Sequence, residues 1–339
     1  MHAARSWMVA AALLALAAGA GAQPAVGATT LQVKGARSFP AELWFQAAPG
    51  SRVEEEAFRA PLRPLAVARD AAPAAGEPRP LVVLSHGNWG TRYSQGWLAL
   101  RLVRAGYVVL AVSHPGTMAD DQNAAGRVRL WDRSGDVSAA LDAVLREPRW
   151  SALLDRDRIG FAGHSFGGWT GVSLAGGRWD PQRQLSWCAA QPRPDLFCRS
   201  LREDMAAPVP IADAGRSYRD PRIKAFYLMA SGPAAGFLPE SLAAISAPFL
   251  VDTAAFDEIL EPQGHSGALA RTLPHARERV RQVGHFVYVP ECRPVLGPLL
   301  ARLARVPICD DPDGVERAQE HERIAADVLA FFGVALQLP

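Results

Sequence analysis

Residues 163–168, Gly-His-Ser-Phe-Gly-Gly, lie between an apolar run at 158–162 and a second one at 169–175. The first, Arg158-Ile159-Gly160-Phe161-Ala162, reads as a buried strand. The second, Trp169-Thr170-Gly171-Val172-Ser173-Leu174-Ala175, can continue as a helix. A strand that turns sharply into a helix over a G-x-S-x-G sequence is a narrow structural demand. Gly163 and Gly167 meet it, because a Cβ at either place would press on the neighbouring strand or helix. The turn lifts the Ser165 hydroxyl above the sheet. The helix behind it aims backbone N–H groups and a partial positive charge at the same spot. Ser165 is therefore the candidate nucleophile.

The remaining pattern supplies a sheet for that turn to rise from. Residues 81–85 and 107–112 are continuous apolar runs, with a helical segment at 93–104 between them. Residues 135–146 form an amphipathic helix with Val137, Leu141, Val144 and Leu145 on one side. Further strands are expected at 224–230, 248–251 and 279–283, and a closing helix at 324–332. Strands alternating with helices mean crossover connections, so the fold class is α/β with a doubly wound, mostly parallel sheet. A strand pair at 31–34 and 41–45 precedes this core. Residues 59–80, rich in Ala and Pro, are expected as a surface loop. Residues 176–222 break the rhythm with six prolines, two cysteines and few periodic signals. They are expected either to cap the pocket or to lie away from it.

The N-terminus reads as a signal peptide covering residues 1–22. Arg5 precedes an apolar run at 9–18, and Ala20-Gly21-Ala22 supplies a cleavage pattern. The run is short for a membrane span, and no cysteine at the cleavage site invites a lipid anchor. The expected location is periplasmic or secreted, with no stable membrane anchor. A formal net charge of +2 gives no electrostatic case for nucleic acid. Export favours pairing of the four cysteines, which allow three connectivities. Local pairing, Cys188 with Cys198 and Cys292 with Cys309, is the simplest. No C-x-x-C or histidine cluster accompanies them, so no metal is expected.

A serine nucleophile needs a base, an orienting acid and an oxyanion hole. With the serine on this kind of turn, the order along the chain is serine, acid, histidine. His285, in Gly284-His285-Phe286 directly after the last strand, is the expected base. His275, in a helix-to-strand connection, and His321, on a polar helix, are expected to be solvent-exposed; His265 could lie near the pocket. Asp257 is the expected acid and Asp252 the alternative, with Glu258 and Glu261 solvated. The oxyanion donors are expected to be the backbone N–H groups of Phe166, next to the nucleophile, and Asn88, in the loop after the first core strand; the Trp89 amide is second choice. His86 is expected to brace that loop. Trp89, Phe166, Trp169 and Phe286 could wall an apolar pocket or simply pack the core, and His114-Pro115-Gly116-Thr117 would shape its rim.

These residues resemble those of the α/β-hydrolases, and more closely the branch described as predicted dienelactone hydrolases and platelet-activating-factor acetylhydrolase-like enzymes. The likeness is carried by Ser85-His86-Gly87, His114-Pro115-Gly116-Thr117, Trp131-Asp132-Arg133 with Asp136-Val137, the 163–168 turn, and Gly284-His285-Phe286 with Cys292. It runs from about Pro80 to Phe332 and implies Ser165, Asp257 and His285 as a triad, with the Asn88 and Phe166 amides as the hole; residues 23–339 are expected to form one hydrolase domain that needs no cofactor. Dienelactone hydrolases carry cysteine where this chain carries Ser165. No carboxylate follows the 224–230 run, where the acetylhydrolases place their acid. The implied substrates are small carboxylic esters or lactones first, then short-chain phospholipids. A protein of another class, binding without catalysis on the same fold, would fail to react with a fluorophosphonate.

Overall fold

The computed structural model describes residues 23–58, 61–206, 208–304 and 307–338. The expected signal peptide lies outside the described residues. The strands are β1 (Val26–Val33), β2 (Phe39–Gln46), β3 (Glu54–Glu56), β4 (Leu65–Arg69), β5 (Arg79–Ser85), β6 (Val108–Val112), β7 (Thr117–Met118), β8 (Asp121–Gln122), β9 (Leu154–His164), β10 (Ile223–Met229), β11 (Phe249–Ala254) and β12 (Ala276–Arg281). The helices are α1 (Gly96–Arg104), α2 (Ala124–Val128), α3 (Trp131–Arg146), α4 (Pro148–Ser151), α5 (Phe166–Ala175), α6 (Pro181–Ala190), α7 (Leu196–Asp204), α8 (Pro239–Ala243), α9 (Ser266–Thr272), α10 (Leu296–Ala304) and α11 (Arg317–Ala335). A 3-10 turn spans His285–Tyr288.

Ten strands form one sheet in the order β12-β11-β10-β9-β5-β6-β2-β1-β4-β3. From β12 through β6 every neighbouring pair is parallel. β2 runs antiparallel to both β6 and β1. The inner strands of the parallel half are apolar on both sides because both sides are covered, whereas the edge strand β12, Ala276-Arg277-Glu278-Arg279-Val280-Arg281, is polar and mostly exposed. Along β5, Leu81 and Val83 face a core shared with α3 and α5, and Val82 and Leu84 face one shared with α1 and α11. The class expected from the alternating pattern is the one observed.

Strand order reverses at β5, whose neighbours β6 and β9 lead away in opposite directions. Clefts form at the carboxyl edge of such a sheet, at the reversal point. The β5–β9 register places Ser85 beside Gly163. The loop leaving β5 and the turn leaving β9 therefore emerge side by side, which is what positions the site.

Three regions differ from expectation. Within 59–80, residues 65–69 are the strand β4, parallel to β1 and antiparallel to the short β3. Residues 176–222 carry two helices, α6 and α7. Asp180 and Asp195 cap α6 and α7 by accepting from the Gln182 and Cys198 N–H groups, as N-cap aspartates do. The closing helix is 19 residues long and starts at Arg317 rather than 324. The cysteines pair locally, Cys188 with Cys198 and Cys292 with Cys309, at Cα separations of 5.3 and 5.7 Å. The first pair ties α6 to α7. No described helix is long and apolar enough to cross a membrane.

Candidate active site

β9 ends at His164 and α5 begins at Phe166, so Ser165 alone makes the turn. Its backbone sits at φ 56°, ψ −118°, a left-handed conformation that costs a non-glycine residue about 1–3 kcal/mol. The surroundings hold it there. The Ser165 N–H donates to Met229 O at 2.9 Å. A Cβ on Gly167 would fall on the Ser85 carbonyl, and one on Gly163 would fall on the Gly167 carbonyl. Both glycines are thus required by close approach, as the sequence suggested. Ser165 retains 6% exposure and His285 3%.

The loop leaving β5 passes directly over this turn: a Cβ added to Gly87 would lie 2.9 Å from Ser165 Cβ. His86 braces the loop, with its Nδ1 donating to Gly87 O at 2.6 Å and its Nε2 accepting from the His114 N–H at 3.1 Å. The Trp89 N–H donates to Thr117 O at 3.0 Å, so it is committed elsewhere and unsuited to an oxyanion. The Phe166 N–H opens α5 and has no intrahelical acceptor. Asn88 is half-buried at the mouth of the loop, and its side-chain oxygen is buried with no hydrogen-bond partner.

His285 stands four residues beyond β12, and Asp257 three beyond β11. The Asp257 carboxylate meets the His285 ring, Oδ2 to Nδ1, at 2.7 Å, with both side chains 3% exposed. Burial works most strongly against a charged imidazole here. The Asp257 charge and hydrogen bond, helped by Glu258, outweigh it and carry the His285 pKa above its ordinary value. Asp252 makes no hydrogen bond or ion pair with that ring. It lies inside β11, fully buried, accepting from Arg281 Nε at 2.7 and 2.9 Å, Tyr227 OH at 2.8 Å and Tyr288 OH at 3.1 Å. The structure thus brings Asp257, not the alternative Asp252, to the histidine.

Three contacts around His285 were not read from the sequence. Glu258 is exposed, as expected of a solvated carboxylate, yet its Oε2 accepts from the His285 N–H at 3.0 Å. His164 donates from Nε2 to His285 O at 3.0 Å, and the two rings are 4.7 Å apart. That contact places the His285 turn against the residue preceding Ser165. His321 is the third, and here the expectation of an exposed ring fails. It is 1% exposed and stacks on Trp97 at 3.8 Å, with Nε2 within 2.9 Å of Val287 O and 3.1 Å of Val289 O. The histidine turn therefore rests on α11, and burial holds the His321 pKa down to about 3. His275 is exposed, as expected.

The aromatic residues divide. Trp89 is 56% exposed and Phe286 half-buried. Trp169 has no exposed surface; its ring packs edge-on to Trp179 and stacked on Phe237, so it belongs to the core and not to a pocket wall. Phe166 meets Phe197 of α7 edge-on at 5.8 Å. His265 is buried, its Nε2 bonded to Asp195 at 2.8 Å and its Nδ1 accepting from the Ala234 N–H at 3.3 Å. Through Phe197 the helical excursion after the serine helix packs against Phe166, and through Asp195 it is tied to His265. Glu261 is exposed, as expected, and accepts from Gln263 N–H at 3.1 Å.

No family profile and no curated protein matches this chain. Among solved structures it is similar to a ferulic acid esterase from Streptomyces cinnamoneus, at 21% identity and a TM-score of 0.57, over 95% of this chain and 92% of that one. The likeness agrees with the strand order and crossovers described above and shows the fold, an α/β-hydrolase one. It gives no support to the dienelactone hydrolase or acetylhydrolase branch.

Proposed function

We propose that this chain, α/β-hydrolase in fold, is an exported serine esterase that cleaves small carboxylic esters or lactones through an acyl-enzyme. The observation that carries the reading is the meeting of Asp257 with His285 Nδ1 at 2.7 Å, on a turn braced by His164, the residue before the strained Ser165. With Nδ1–H donated to Asp257, Nε2 is left unprotonated and able to take a proton. Ser165 Oγ attacks the acyl carbon as His285 takes its proton. Asp257 holds the tautomer and stabilises the imidazolium. The Asn88 and Phe166 N–H groups receive the oxyanion, each such donor being worth roughly 3 kcal/mol in the transition state. His285 then protonates the leaving alcohol, and water, activated by the same ring, releases the acid. The scheme needs no cofactor or metal.

Trp89, Phe256 and Phe286 adjoin Asn88, Asp257 and His285 in sequence and all reach the surface in part. Such rings suit an apolar acyl or alcohol group, and the ferulic acid esterase likeness makes a hydroxycinnamate ester one substrate to try. The absence of a carboxylate in Ser231-Gly232-Pro233-Ala234, after β10, weighs against the short-chain phospholipid alternative. The two disulfides fit an oxidising compartment. The test is turnover of p-nitrophenyl esters of graded acyl length, with methyl ferulate and a short-chain phospholipid alongside. Ester turnover lost in Ser165→Ala supports the reading; a wild-type protein inert on every ester overturns it.

A further inference from the structure

Arg133, on α3, is 1% exposed, yet no carboxylate lies within ion-pair distance of its guanidinium among the described residues. Every donor it uses goes to a neutral oxygen. Nε donates to Thr170 Oγ1 at 3.0 Å, Nη1 to Thr117 Oγ1 at 2.6 Å, and Nη2 to both the His86 carbonyl and Ser85 Oγ, the latter at 3.3 Å. Burial lowers its pKa to about 9, which leaves it cationic at neutral pH. A buried cation without an ion-pair partner is costly, and an apolar side chain would fill the same space without that cost.

The acceptors show what the charge joins. Ser85 and His86 open the loop that carries the Asn88 N–H. Thr170 lies one turn into α5, and its hydroxyl donates to Phe166 O at 2.9 Å, the carbonyl of the residue whose N–H is the other proposed donor. Thr117 belongs to the segment that also accepts from the Trp89 N–H and donates to His114 O. Behind Ser85, His114 Nε2 lies 2.9 Å from Ser85 Oγ, and His114 Nδ1 lies 3.1 Å from Asp136 Oδ2. This second Ser-His-Asp chain has no exposed surface on Ser85 or His114, so it braces the loop and meets no substrate.

We propose that Arg133 is a positioning residue of the oxyanion hole, its guanidinium fastening the β5 loop and the start of α5 at the spacing that lets the Asn88 and Phe166 N–H groups converge. The inference rests on the esterase reading. A rigid hole is what makes such donors effective, since they need no reorganisation as charge develops.

The test compares Arg133→Met, Arg133→Lys and Thr170→Val with wild type, counting functional sites by slow titration to completion with a fluorophosphonate. Per-site kcat should fall roughly 10²–10³-fold in Arg133→Met, the scale of losing one oxyanion donor, with KM changed less than about threefold. Arg133→Lys should recover part of that loss, because it restores charge and one donor. Thr170→Val, which keeps the side-chain shape, should lose several-fold in per-site kcat and guards against an Arg133→Met protein that does not fold. A purely structural role would lower melting temperature and leave per-site kcat within about threefold of wild type; that result in Arg133→Met, or an unchanged Thr170→Val where Arg133→Met cannot be purified, overturns the proposal. An unlabelled, inactive wild type would instead overturn the esterase reading.

Discussion

Two aspartates lie five residues apart, and their substitution by asparagine separates chemistry from stability. Asp257→Asn leaves the shape of the side chain but offers an amide to His285 Nδ1, which favours the wrong imidazole tautomer. The expected loss is about 10⁴ in kcat, with little change in melting. Asp252→Asn removes a buried carboxylate that receives four hydrogen bonds, two from Arg281 and one each from Tyr227 and Tyr288. Breaking a buried pair costs about 3–5 kcal/mol. Arg281 keeps Asp327 as a partner, which puts the cost at the lower end. At roughly 2 cal/mol/K of unfolding entropy per residue, a chain of this size should melt about 5 °C lower. The assays are per-site ester turnover and calorimetry on both variants. An Asp252→Asn protein with the larger catalytic loss and unshifted melting would refute the assignment of roles.

Removing Cys292–Cys309 opens a loop with a sequence separation of 17, worth about 3 kcal/mol in the chain-entropy picture. Because Cys292 follows His285 by seven residues, calorimetry and ester assays of Cys292→Ala/Cys309→Ala should show lower melting and lower activity together. Removing Cys188–Cys198 should chiefly loosen α6 and α7, seen as faster amide exchange there. The raised His285 pKa sets a pH dependence: the reaction needs the neutral ring, so kcat/KM should fall as pH drops through a midpoint above about 6.5. Glu258→Gln removes one charge that supports the imidazolium, so the midpoint should move down; an acid limb well below 6 in wild type would contradict this. Gly167→Ala places a Cβ on the Ser85 carbonyl and should abolish folded expression. Gly333→Ala, with open space in α11, should gain about 0.5–1 kcal/mol.

The serine turn, the parallel sheet and the pairing partners of Asp257 were legible because each follows from local chain order: glycine spacing, apolar runs, and a residue just past the end of a strand. The choice between Asp252 and Asp257 depended on where β11 stops. Its end at Ala254 places Asp252 within the strand, its carboxylate among buried neighbours. What sequence hid was long-range burial. His321 sits in a polar helix by composition, yet one ring face stacks on Trp97. Trp169 adjoins the serine but turns inward onto Phe237. Arg133 and Asp136 stood out in the sequence only as part of the family resemblance, with no role attached, and only the fold shows the guanidinium beneath the β5 loop. α6 and α7 did carry start signals in Asp180-Pro181 and Asp195, but six prolines between 176 and 222 obscured their periodicity.

The most direct measurement is tandem mass mapping of a fluorophosphonate adduct on the purified protein. One adduct is expected, on Ser165, forming much more slowly in His285→Ala while that variant stays folded. Labelling at another serine, such as Ser85, or at no serine while the ester is still hydrolysed, would contradict Ser165 as the nucleophile.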